Sequence, residues 1–336
     1  MPVVMSAAKT RCDMRRLLVC VVVASLLTVC CLSGASAKEI ELKAVCFLPK
    51  NHPLAAMTVE WAKRMNDYCR GEVRVSYLGG SEVIPRLEQV EALRKGLVHV
   101  TFSPTAYYQS IFPEGVAFTL SKLTPWEERR PGGFYDFMAE RHKEIGVMYL
   151  GRWLHGPFYL WLKQPVKTPA DLKGRKLRTT ALYDRFMKAF DTVPVTISPS
   201  ETYTALERGT VEGTGWPLLG VRELGWTEVC KYVIDHPFYN QNCTILINLD
   251  VWNGLSHSLR EKIQNLTAWF EPYMVGYFDK AIEMEWKEIE KTGMQRITFS
   301  STDAKLYLDT AYEVEWEALE KKVPDLVPLL RKLTEF

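Results

Sequence analysis

The sequence predicts an α/β protein of two lobes, each built on a mainly parallel sheet covered by helices. Three observations carry that expectation. Strand-like and helix-like stretches alternate between residues 40 and 103, the order expected of a helix-covered sheet. The same alternation resumes between residues 145 and 215. Beyond an apolar start the chain keeps about 300 residues, enough for two cores. No low-complexity linker divides them, so the chain is expected to cross between the lobes more than once.

The first 37 residues stand outside this pattern. Lys9, Arg11, Arg15 and Arg16 precede an apolar run from Leu17 to Leu32, and Ser33-Gly-Ala-Ser-Ala37 supplies small residues in an Ala-x-Ala order. This is the arrangement of a cleaved signal peptide. The run falls short of the roughly 20 residues a membrane span needs. The mature chain is expected to start at Lys38.

In the first lobe, Ile40 to Phe47 reads as a strand. His52 to Cys69 has helical spacing, with Leu54, Met57, Trp61 and Met65 on one side. Val73 to Leu78 is a strand closed by Gly79-Gly80, Arg86 to Lys95 a short helix stopped by Gly96, and Val98 to Ser103 a strand. Ile145 to Leu154 is a further strand. After the turn at Pro165 to Asp171, Lys176 to Thr179 is extended and Tyr183 to Phe190 helical. Pro194 to Ile197 is a strand, Ser200 to Arg208 a helix stopped by Gly209, and Thr210 to Gly215 a strand. Ser256 or Ser258 caps a long helix reaching about Lys291, with a kink or break expected at Pro272 and Gly276. Asp303 starts the last long helix.

Charge and composition exclude several functions. Without its first 37 residues the chain carries 38 basic and 39 acidic residues, a formal charge of −1. That gives no case for nucleic acid or an anionic membrane as partner. Cys46, Cys69, Cys230 and Cys243 form no CxxC, so a zinc ribbon or thioredoxin-like site is not expected. Cys230 and Cys243 would pair only if their strands lay side by side, which the sequence leaves open. The six histidines have no ligand spacing, and GxSxG, HExxH, P-loop and GxGxxG signatures are absent. Neither an enzyme nor a cofactor is expected.

The most informative run is Asp171-Leu-Lys-Gly-Arg-Lys-Leu-Arg178, which ends a short strand on an arginine. Ligands of open α/β sheets bind beyond the carboxyl ends of strands, and a guanidinium offers a carboxylate a two-point fork. Some 20 residues on stands Ser200-Glu-Thr-Tyr-Thr-Ala-Leu-Glu-Arg-Gly-Thr-Val-Glu-Gly213. With Leu78 to Gly96, Pro113-Glu114 and Ile247 to Ser256, these runs resemble the DctP-like substrate-binding proteins of TRAP transporters over nearly the whole mature chain. The resemblance implies a two-lobed periplasmic flytrap with a hinge and a long C-terminal helix bridging the lobes. Lobe one would hold residues 38–155 and 244–283, and lobe two 156–243 and 284–336. It also implies a small organic acid as ligand, Arg178 as its carboxylate anchor, and delivery to ion-driven membrane permease subunits.

The chain departs from family members that carry sialic acid. Where those have Asn, Arg and Asn, it has Phe47, Phe158 and Trp216. An aromatic wall buries apolar ligand area at roughly 25 cal/mol per Å² and would leave sugar hydroxyls unpaired at roughly 1–3 kcal/mol each. The expected ligand is therefore a monocarboxylate with an aromatic body, an indole or phenyl acid. Ser103, Tyr107, Gln241 and Asn242 are the candidate polar contacts. The rival readings are a receptor for an ATP-driven importer or a sensor, and a periplasmic enzyme.

Overall fold

The computed structural model describes residues 39–335 apart from Asn242. The signal-peptide expectation for residues 1–37, and Asn242 as a candidate contact, lie outside the described residues. Eleven strands are described: β1 (Ile40–Cys46), β2 (Val73–Gly79), β3 (Val100–Pro104), β4 (Val147–Leu154), β5 (Phe158–Leu162), β6 (Lys176–Thr179), β7 (Val193–Thr196), β8 (Gly213–Pro217), β9 (Tyr232–Ile234), β10 (Cys243–Asn248) and β11 (Gln295–Ile297). They form two sheets, β2-β1-β3-β10-β4 and β11-β9-β5-β8-β6-β7. Each sheet is the centre of one lobe.

Both sheets are mainly parallel, as expected, and each holds one strand that runs against the rest. β10 runs antiparallel to β3 and β4, and β5 runs antiparallel to β8 and β9. These are the two strands through which the chain enters a lobe from the other one. A strand arriving from the inter-lobe side begins where its neighbours end, so it must run against them. Residues 155–157 carry the first crossing, and the second begins at residue 235 after β9.

Helices cover the sheets where their apolar faces dictate. In α1 (Ala56–Tyr68) the buried residues Met57, Trp61 and Met65 recur every four positions, one face of a 3.6-residue period. Trp61 meets Phe102 of β3 edge-on at 5.4 Å. The other helices used below are α2 (Phe134–Glu144), α3 (Asp184–Ala189), α4 (Pro199–Glu207), α5 (His257–Lys291), α6 (Ser301–Glu320) and α7 (Val327–Leu333).

The long helix α5 starts at Ser256, whose hydroxyl accepts from the Leu259 amide at 3.2 Å. It runs without a break through Pro272 and Gly276, so the break the sequence allowed there is not formed. Proline there removes one backbone hydrogen bond, while Phe270, Glu271, Met274, Val275 and Phe278 around it are all buried. Burial on that scale outweighs one lost bond. The first half of α5 lies on the first lobe, where Trp61 donates to Thr267 at 3.3 Å. The second half lies on the other lobe, where Trp286 meets Tyr159 edge-on at 5.4 Å and Glu285 takes both arms of Arg222 at 3.1 and 3.0 Å. One helix thus bridges both lobes. The chain returns once more after α6: the Lys122 amide donates to the carbonyl of Thr334 at 3.0 Å. Among the described residues no helix is long and apolar enough to cross a membrane.

Candidate functional site between the lobes

β6 places Leu177 inside the second lobe's core and turns Arg178 out at the strand end. The side chain lies across the carboxyl ends of three strands. Its Nε donates to the carbonyl of Ile197, just past β7, at 2.9 Å. Its Nη1 donates to the Tyr183 hydroxyl at 2.7 Å and to the carbonyl of Gly215 in β8 at 3.3 Å. The Tyr183 hydroxyl in turn donates to the Gly215 carbonyl at 2.7 Å. Position 215 must be glycine, because a Cβ there would lie 2.6 Å from the Tyr183 ring.

Arg178 is only 1% exposed, so it is no surface arginine. Among the described residues no carboxylate pairs with it; every partner is neutral. A buried cation without a counter-charge is costly, and the direction that relieves the cost is the arrival of an anion. The rings of Trp216 and Trp226 lie 5.4 and 5.9 Å from the guanidinium carbon, within cation–π range. Trp216 is half-buried, meets Trp226 edge-on at 5.0 Å, and keeps a buried indole N–H with no partner among the described residues.

The first lobe supplies the facing surface. Phe47 follows β1 and is held by the Phe102 carbonyl, to which its amide donates at 3.0 Å. The loop it opens passes so close to Gly80 that a Cβ there would lie 1.7 Å from the Leu48 carbonyl oxygen. The Phe47 ring meets Tyr107 edge-on at 5.6 Å and Trp153 at 5.9 Å. Arg86, exposed, stacks over Tyr107 at 5.6 Å. Burial pushes the Tyr107 phenol upward, and the cations of Arg86 and Arg178 pull against that shift.

Of the expected residues, Arg178 and Trp216 come together in the second lobe and Phe47 and Tyr107 in the first. The rest do not join them. Phe158 is buried between Tyr183 and Phe238, at 6.0 and 6.1 Å, because the first residue of β5 points into the lobe core. It stands behind Tyr183 instead of in a wall. Ser103 is fully buried, and its hydroxyl donates to the neighbouring Pro104 carbonyl at 3.4 Å. Gln241 faces a separate cavity on the hinge side, with Arg152 and His155. Sequence reasoning missed Tyr183, Trp226 and Arg86. Tyr183 sits five residues past Arg178, but only the fold shows that its hydroxyl turns back.

The four described cysteines are free and buried. Cys230 belongs to the second lobe's core, while Cys243 pairs in the first sheet with Pro104 and Leu154. The pairing the sequence left open is not made. Among the described residues no group of His, Cys, Asp and Glu has the arrangement of a metal site.

Comparison with known proteins gives a consistent picture. Residues 45–321 match the family model DctP, described as bacterial extracellular solute-binding protein, family 7. The chain is 23% identical over 233 residues to a monocarboxylate 2-oxoacid-binding periplasmic protein of Nostoc sp., a match spanning 65% of this chain and 62% of that one. It is 24% identical over 294 residues to the C4-dicarboxylate-binding periplasmic protein DctP of Rhodobacter capsulatus, spanning 83% and 86% of the two chains. Its fold is similar to a TRAP periplasmic solute-binding protein of Desulfovibrio salexigens solved with orotic acid, with a TM-score of 0.76, 20% identity, and 88% and 97% of the two chains covered.

Proposed function

Because this chain belongs to family 7 of the bacterial extracellular solute-binding proteins, we propose that it is a periplasmic receptor for a small organic monocarboxylate, closed around that ligand by its two lobes. The observation that carries this reading is Arg178, a buried guanidinium at three strand ends with only neutral partners among the described residues. The carboxylate docks on the edge of that guanidinium facing the first lobe. The ligand body lies between Trp216 on one side and Tyr107 with Phe47 on the other. We assign the lobes to residues 38–155 with 244–283 and 156–243 with 284–336, and the receiver of the ligand to TRAP-type permease subunits.

The finer ligand class rests on the rings. Trp216 offers an indole face and an unpartnered N–H, so an unsaturated planar acid with one acceptor beside its carboxylate fits best. The 2-oxoacid named for the Nostoc relative carries such an acceptor, and the orotic acid in the Desulfovibrio protein is planar and unsaturated. A thermal-shift panel tests the reading: a ligand that binds only the folded state raises Tm by mass action. Indole, phenyl and orotate-like acids should raise it most. Stabilisation by sugar acids or dicarboxylates alone would reject the aromatic class and leave the receptor reading in place. No response to any carboxylate would reject both.

A further inference from the structure

A cavity of about 340 Å³ lies on the hinge side, apart from Arg178, against the segments by which the chain crosses between the lobes. Ser121, Arg152, His155, Gln241, Val275 and Tyr312 are among its lining residues. Two of them are more than nine-tenths buried, Arg152 at 4% exposure and Gln241 at 9%. Arg152 Nε and Gln241 Nε2 have no hydrogen-bond partner among the described residues. Both atoms are donors only, so both call for the same kind of guest, one that accepts. We propose that this cavity is a second binding site, for a small monovalent anion: a halide or a one- or two-carbon carboxylate.

The charges around it agree. No carboxylate lines the cavity, whereas Arg152, Lys122 and His155 do. Their counter-charges stand outside the lining: Glu335 takes Lys122 at 2.6 Å, Asp279 takes His155 at 3.3 Å, and Glu128 pairs with Arg152. The Arg152 Nη2 also donates to the Phe118 carbonyl at 3.3 Å, while Nε has no partner among the described residues. Glu128 is fully buried, and burial pushes its carboxyl up to about 7 against the pull of Arg152. The Gln241 amide lies close against the crossing segment, since a Cβ on Gly156 would come 3.1 Å from its Nε2.

The position links the guest to lobe movement. Ser121 and Arg152 hang from the first lobe, while Tyr312 belongs to α6, whose Tyr307 and Ala311 pack into the second. An anion held by both sides favours the arrangement in which both can reach it, and such coupling is reciprocal with ligand binding.

The test uses bromide, whose anomalous scattering locates it. Crystals of the protein grown in bromide should show a peak within hydrogen-bonding reach of Arg152 Nε and Gln241 Nε2. Gln241→Glu puts a carboxylate where the anion would sit, and should remove the peak and weaken bromide binding in solution at least about tenfold. Gln241→Leu, which removes the donor without adding charge, is the second variant and should also lower the occupancy. Titrating formate and bromide at constant ionic strength separates the two sources: a rise in wild-type Tm with either, lost in Gln241→Glu, supports the site. A cavity holding only water in concentrated bromide would overturn the proposal. So would a peak undiminished in Gln241→Glu.

Discussion

Removing one hydroxyl tests whether Arg178 is aimed by its surroundings. Tyr183→Phe keeps the ring against Phe158 and Phe238, at 6.0 Å each, so the second lobe's core stays filled. It deletes the oxygen that accepts from Arg178 Nη1 at 2.7 Å and donates to Gly215 at 2.7 Å. The first bond is charge-assisted, worth about 1.5–3 kcal/mol, and the second is neutral, about 0.5–1.5 kcal/mol. Part is recovered, because Nη1 already touches the Gly215 carbonyl at 3.3 Å and can shorten that contact. A net destabilisation of about 1–2 kcal/mol is therefore expected, a fall in Tm of about 2–8 °C. The guanidinium, released from one of three anchors, should bind the carboxylate about 5- to 30-fold more weakly, since 1.4 kcal/mol is a factor of ten. Calorimetry with the acid that gives the largest thermal shift reads the affinity, and ligand-free melting reads the stability. Wild-type affinity in a destabilised variant would refute the reasoning: the hydroxyl would then serve the fold and not the aim of Arg178.

Four further outcomes follow from the same geometry. Arg178→Ala should cost about 2–5 kcal/mol of ligand binding, and Arg178→Lys should also bind weakly, because a point charge cannot supply the fork; calorimetry with near-normal affinity in either would remove the residue from its role. Trp216→Ala should lose on the order of 1–3 kcal/mol for an aromatic acid and much less for a small aliphatic one, so equal losses for both would deny the ring contact. His142 is fully buried, and burial pushes its imidazole down to about 3; its folded value lies below the ordinary 6.5, so the stability it contributes is present above about 6.5 and lost as the pH falls toward 3. Imidazole NMR should find it neutral at pH 5, and a midpoint near 6 would contradict that. Saturating ligand should shrink the radius of gyration as the lobes close, and an unchanged radius with an open free protein would argue against closure.

Much of the fold was legible because its helices and several strands carry their periods openly. Lys176 to Thr179 was read at its true bounds, and Ser256 was among the two caps read for α5. The strands that escaped were β5, β9, β10 and β11. β9 and β11 are three residues each, too short to show alternation. β5 and β10 are buried on both faces, so their apolar runs have no period of two to read. The same two strands make the sheets mixed, a feature set by how the chain crosses and not by local pattern. At the site, Arg178 was legible because a motif marks it, Trp216 because sialic-acid-carrying relatives have Asn in its place, and Tyr107 because it lies just past β3. Phe158 and Ser103 misled for one reason: position along the chain does not tell which face of a strand a side chain takes, and both turn inward. Tyr183 and Gly215 were invisible because each matters only through the other, 32 residues away.

The central claim is that Arg178 receives the ligand's carboxylate, and a crystal structure of the protein with its best-binding acid tests it most directly. The account predicts both lobes in contact with the ligand and a carboxylate oxygen about 2.7–2.9 Å from an Arg178 nitrogen, the range of a charge-assisted bond. The Tyr183 hydroxyl should remain bonded to Nη1 and the ligand body should lie against Trp216. A carboxylate bound elsewhere in the cleft, with Arg178 still answered only by Ile197, Tyr183 and Gly215, would contradict it.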